Sequence, residues 1–86
     1  MKVHIPTPLR SYTEKESVVD AGGSTVGELL AEIEQRYPGF RFRIIDEQDA
    51  IREHIKIFIN GTAVHSLGAP LQADDTVHIM CALSGG

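Results

Sequence analysis

The strongest periodic signal in this chain is a single apolar stripe. Val26, Leu29, Leu30, Ile33 and Tyr37 fall at i, i+3, i+4, i+7 and i+11, which is helical spacing. Glu28, Glu32, Glu34, Gln35 and Arg36 cover the remaining faces. Thr25 and Glu28 stand at capping-box spacing, so Thr25 can accept from an orphan N–H of the first turn while Glu28 reaches back. Pro38-Gly39 stops the helix. One amphipathic helix of about three turns can cover one face of a small sheet, and that pairing fixes the fold class.

The strand signals surround it. Lys2 to Pro6 alternates Val3 and Ile5 with Lys2 and His4, a short half-buried strand. Pro6-Thr7-Pro8 breaks it, and Ser11 to Lys15 reads as a polar turn region. Ser17 to Ala21 is a second strand whose facing is ambiguous, because Val18 and Val19 are adjacent. Phe40 to Arg52 is less regular: FRFRII alternates, while IDEQDAIRE is polar and reads as a loop with a helical turn. His54 to Asn60 alternates cleanly, with Ile55, Ile57 and Ile59 on one face. Asn60-Gly61 is a strong hairpin signal, since both central residues of a type I′ turn need positive φ. Thr62 to His65 is the return strand, Gly68-Ala69-Pro70 and Asp74-Asp75 are turns, and Thr76 to Ala82 is the last strand. The order strand–strand–helix–strand–strand–strand predicts an α+β two-layer domain, a mixed sheet of four to five strands packed on one main helix. Residues 1–82 form that domain, and 83–86 remain as a flexible tail.

Composition bounds the function. At 86 residues, folding buries roughly 60–65% of the unfolded chain's surface, which leaves little room for a core and also a deep cleft. No apolar run approaches a membrane span, and MKVHIPTPLR lacks the apolar core of a signal peptide. Cys81 is the single cysteine, so neither an intrachain disulfide nor a CxxC motif can form. These features predict a cytoplasmic protein with no membrane partner. The net charge of −4 argues against nucleic acid and leans weakly toward a basic protein partner.

No catalytic constellation stands out. Lys2, Lys15 and Lys56 each lack the preceding glycine of a phosphate loop. His4, His54, His65 and His78 have no i/i+4 helical pair and lie in or beside strands, which reads as scattered surface histidines with no metal site. Cys81 and His78 are three apart on a strand and so point to opposite faces. The carboxylates sit on the helix's polar face and in turns, where solvation explains them.

The chain's last two residues, Gly85 and Gly86, carry more information. At ordinary glycine usage such an end arises in roughly 1 chain in 200. Ala82 to Gly86 extends at most roughly 16–18 Å past the last strand. A tip without Cβ atoms can thread a narrow tunnel. Its terminal carboxylate resists nucleophilic attack, and a partner could activate it with ATP as an acyl-adenylate.

The helix start Thr25-Val26-Gly27-Glu28-Leu29-Leu30, the hairpin Ile57-Phe58-Ile59-Asn60-Gly61, the run Leu71-Gln72-Ala73-Asp74-Asp75-Thr76-Val77 and the diglycine end occur in an order that resembles one superfamily. It is that of the thiamine sulfur carrier and the molybdopterin-synthase small subunit (ThiS/MoaD), with a ubiquitin-like β-grasp fold. The Pro6 to Leu9 segment and the long stretch between helix and hairpin look most like its cysteine-biosynthesis branch. Family members often carry Gly-Asp where this chain has Asp74-Asp75, and a proline-containing stretch where it has Cys81-Ala82-Leu83-Ser84.

The resemblance implies that Gly86 is the adenylation and thiocarboxylate acceptor, on a thin tail with Gly85 and Ser84. The chain would be a carrier rather than an enzyme. A ubiquitin-activating-like adenylating enzyme would use ATP and magnesium, with none bound by this chain. A sulfur donor and a downstream sulfur-accepting synthase complete the implied partners. Strand alternation adds a docking face: if Ile55, Ile57, Ile59, Val77, Ile79 and Cys81 face the helix, Phe58 and Met80 point outward, with Leu83 beside them. Two other readings share the fold: a ubiquitin-like modifier joined to lysines through Gly86, and a scaffolding domain whose diglycine is incidental.

Overall fold

The helical stripe folds as expected. In the computed structural model, which describes residues 1–82, α1 spans Val26–Arg36 and buries Val26, Leu29, Leu30 and Ile33. Tyr37 packs half-buried at its C-terminal end. Thr25 caps the N-terminus, its side chain accepting from the Glu28 N–H at 3.2 Å. The Glu28 carboxylate reaches one residue further back than a simple capping box, accepting from the Ser24 N–H at 2.8 Å. Just before the cap, Gly23 lies so close to the helix that a Cβ would meet the Leu29 nitrogen at 2.7 Å.

Five strands form one mixed sheet: β1 (Lys2–His4), β2 (Val18–Asp20), β3 (Ile55–Ile59), β4 (Thr62–Val64) and β5 (Thr76–Cys81), in the order β2-β1-β5-β3-β4. The first and last strands, β1 and β5, run parallel, and every other pair is antiparallel. The register of β2 resolves its facing: Val19 pairs with Val3 and is buried, while Val18 pairs with His4 and is exposed. Asn60 and Gly61 have φ of +50° and +86°, so the hairpin turn takes the predicted left-handed geometry. Asn60 is also tied to the start of β5. Its Oδ1 accepts from the Thr76 N–H at 2.9 Å and its Nδ2 donates to Asp75 at 2.8 Å, while Asp75 also accepts from the Gln72 N–H.

Two short helices occupy the irregular regions. Thr7–Tyr12 forms a 3₁₀ helix that buries Leu9. Phe40–Ile44 is a short helix, α2, despite the alternation of its sequence. Phe40 and Ile44 are one helical turn apart and both buried, so the alternation in FRFRII hides an i, i+4 pair. The Glu34 carboxylate at the end of α1 accepts from the Gly39 and Arg41 N–H groups at 2.9 and 2.8 Å, a cap supplied by the preceding helix. The polar stretch after it is a turn built on Asp46, which accepts from the Gln48 and Ala50 N–H groups.

The core lies between the inner sheet face and the helical layer. Val3, Val19, Ile57, Val77 and Ile79 meet the α1 stripe together with Phe40, Ile44 and Ile45. No helix of the described residues is long and apolar enough to cross a membrane. Truncating the stripe should therefore be severe: Leu30→Ala is expected to cost about 2–5 kcal/mol in urea unfolding. Gly61→Ala should cost about 1–2 kcal/mol from backbone conformation alone, because no neighbouring atom lies within 4 Å of an added Cβ. Backbone hydrogen bonds from Ala50 and then Gln48 hold Asp46 below its ordinary value of 3.8. Its support of the turn is thus present above that value and fades as pH falls through the lowered midpoint, which a carboxyl NMR titration would locate.

Candidate functional site

One helix layer covers only one face of the sheet, and the other face is the candidate site. Ladder partners share a face. The register therefore lines up Val18, His4, His78, Phe58 and Ala63 in one row across all five strands. Lys56 and Met80 pair in the neighbouring row, which places Met80 diagonal to Phe58. Met80 is 49% exposed and Val18 37%, while Phe58 is half-buried between its cross-strand neighbours His78 and Ala63. Phe58 and Met80 thus stand on the outward face as expected. Leu83, Ser84, Gly85 and Gly86 lie outside the described residues.

The histidines are not all scattered. His4 and His78, brought together by the β1–β5 pairing, stack face to face with ring centroids 4.2 Å apart and planes 6° from parallel. Their alternation with Val3, Val77 and Ile79 marks each as outward-facing. Nothing local in the sequence says that two such residues meet, because the pairing joins the two ends of the chain. His54 and His65 remain separate, His54 lying 3.9 Å from Glu53. Among the described residues no three His, Cys, Asp or Glu side chains come together as a metal-binding group.

Cys81 faces the other side. It pairs with Ile55 at the end of β5, half-buried against the core edge. Burial pushes its thiol above the ordinary value, which favours the protonated form over the thiolate. The Ala82 N–H donates to the His54 carbonyl at 2.7 Å and extends the ladder one residue past the strand. A cleft of about 540 Å³ opens here, lined by Leu9, Tyr12, Arg43, His54 and Cys81 among others. Its cationic rim is already engaged, with the Arg43 guanidinium 5.5 Å from the Tyr12 ring and Arg52 4.4 Å from that of Phe42.

A mixed five-stranded sheet with its first and last strands parallel at the centre, wrapped on one main helix, defines a ubiquitin-like β-grasp protein. Its solved counterparts agree. A chain of the BexX/CysO complex of Amycolatopsis orientalis superposes with a TM-score of 0.92 at 34% identity, over 99% of this chain and 98% of that one. The small archaeal modifier protein SAMP1 of Haloferax volcanii superposes with a TM-score of 0.78 at 26% identity, over 100% and 98% of the two chains. In sequence, the sulfur carrier protein CysO of Mycobacterium tuberculosis is 32% identical over 89 residues, covering 98% of this chain and 96% of that protein. The ThiS family pattern matches residues 3–86, and the chain belongs to the ThiS family.

Cys81 is half-buried at the core edge, and that burial pushes its thiol above the ordinary value and disfavours the thiolate. Alkylation of Cys81 by iodoacetamide at pH 8 should therefore run several-fold slower than that of an unhindered cysteine peptide, and a rate equal to the peptide's would contradict its placement.

Proposed function

We propose that this protein is a cytoplasmic sulfur carrier whose Gly86 carboxylate is activated and converted to a thiocarboxylate by a partner. The observation that carries this reading is the match to the ThiS family running through the diglycine end. The curated CysO relative, a sulfur carrier protein aligned over nearly the whole chain, supports it.

The chemistry divides between the proteins. A Gly86 carboxylate oxygen attacks the α-phosphorus of ATP and pyrophosphate leaves, giving the acyl-adenylate. Sulfur from a donor attacks the acyl carbon and AMP leaves, giving the thiocarboxylate. Its sulfur, a stronger nucleophile than a carboxylate oxygen, then displaces a leaving group from an electrophilic carbon of the acceptor on a downstream synthase; water cleaves the acyl C–S bond of the resulting thioester, releasing the thiol product and the Gly86 carboxylate. ATP and magnesium belong to a ubiquitin-activating-like adenylating enzyme. Gly85 and Ser84 lend the slender approach that such an enzyme's tunnel requires. The chain itself supplies a rigid handle, a thin end and a docking face made by Phe58, Met80 and Leu83. The BexX/CysO complex supports pairing of such a carrier with a second protein.

The likeness to SAMP1, a modifier protein, favours one alternative: conjugation of Gly86 to lysines of other proteins. Both routes use the same adenylate and differ in whether sulfur or an amine attacks it. Conjugates trapped on lysines would mark the modifier, and thiocarboxylate on the free protein the carrier.

ATP–pyrophosphate exchange by the cognate adenylating enzyme tests the activation step. Wild-type protein should support exchange, and deletion of Gly86 should abolish it. Met80→Asp and Phe58→Asp should lower exchange by roughly tenfold or more, as expected when a charge enters the centre of an interface. Met80→Asp should leave unfolding within about 0.5 kcal/mol of wild type, as for other exposed positions. Full exchange by a folded Phe58→Asp protein would remove that residue from the docking face.

A further inference from the structure

The outward sheet face differs in charge from the rest of the molecule. The chain carries twelve acidic residues against eight Lys and Arg, a net −4. Of those twelve, only Asp20 occupies an outward strand position, and the N-terminal ammonium lies 3.2 Å from its carboxylate. The same face carries Lys2 and Lys56, both exposed and neither in an ion pair among the described residues. The stacked imidazoles of His4 and His78 carry either no charge or a positive one, never a negative one. An acidic protein therefore presents one neutral-to-cationic face, and that face also exposes Val18, Met80 and part of Phe58.

We infer that the partner surface meeting this sheet is acidic as well as apolar, with a carboxylate opposite Lys56 and an apolar centre that covers Met80, Phe58 and the His4–His78 stack. This reverses the expectation from net charge, which leans toward a basic partner. Net charge averages over the helix face and turns, whereas complementarity is decided at the contacting surface. The inference rests on the reading above that this face docks the adenylating enzyme. It adds His4, His78, Val18 and Lys56 to the footprint and gives the partner's side a sign.

The test is calorimetric titration of the intact protein with the cognate adenylating enzyme, with pyrophosphate exchange followed in parallel. Lys56→Gln and Gln48→Glu both take the net charge from −4 to −5, one on the sheet face and one on the exposed loop after α2. Lys56→Gln should weaken binding about threefold or more and Lys56→Glu about tenfold or more, while Gln48→Glu stays within about twofold of wild type. Wild-type affinity should fall with added salt more steeply than that of Lys56→Gln. Met80→Lys should retain more affinity than Met80→Asp, a ranking that loss of packing alone does not produce. Tighter or equal binding by Lys56→Glu, or the opposite Met80 ranking, would overturn the acidic partner surface. Binding with these rankings but without pyrophosphate exchange would leave the acidic surface standing and overturn the activation reading. Absence of wild-type binding would overturn both.

Discussion

A five-stranded sheet served by one principal helix can hide only one of its faces. The packing of Val26, Leu29, Leu30 and Ile33 onto Val3, Val77, Ile79 and Ile57 decides which one. Each of those side chains, when buried, contributes roughly 1.5–3 kcal/mol, so a one-residue slip in register would expose the whole set and is strongly opposed. Once the inner face is fixed, so is every outward residue. Val18, His4, His78, Phe58 and Met80 occupy the outer surface because their neighbours are needed inside.

The same packing determines how β5 is held. Strands β1 and β5 pair in parallel at the middle of the sheet, so β5 is hydrogen-bonded on both edges. Central strands open less readily than edges or termini. The ladder bond from the Ala82 N–H to the His54 carbonyl carries this support one residue past the strand, to Ala82. Under the function proposed above, an end that reaches into another protein needs its base held still. The Asn60 and Asp75 side chains serve that need at the other end of β5, locking the hairpin turn to the strand's first residue.

Much of this was legible in the sequence, where the physics is local. The α1 stripe, the Thr25 cap and the Asn60-Gly61 turn each depend on residues a few positions apart, and each is found where the pattern places it. The face of Val18 was not legible, because two adjacent valines have no parity until β1 pairs with β2. Phe40–Ile44 was ambiguous for another reason. Its apolar residues satisfy both a period of two and an i, i+4 pair, and the deciding cap comes from Glu34 on the preceding helix. The His4–His78 stack depends on the pairing of the chain's two ends, for which the sequence carries no short-range signal. The outward positions of Phe58 and Met80 were readable from alternation alone. The charge of the face they share was not, because it is the sum of residues from separate strands.

The fold thus gives a sulfur carrier of the ThiS family a division of labour. Its helix and inner sheet face supply stability, and under the function proposed above its outer face supplies recognition and Gly86 the reacting carboxylate. The most direct measurement of that claim is the intact mass of the protein after incubation with the cognate adenylating enzyme, ATP and a sulfide source, followed by fragmentation. The expected result is a mass gain equal to replacement of one oxygen by sulfur, confined to Gly86 and retained in a Cys81→Ser variant. A sulfur adduct on Cys81, or an unchanged Gly86 under conditions where the enzyme consumes ATP, would contradict it.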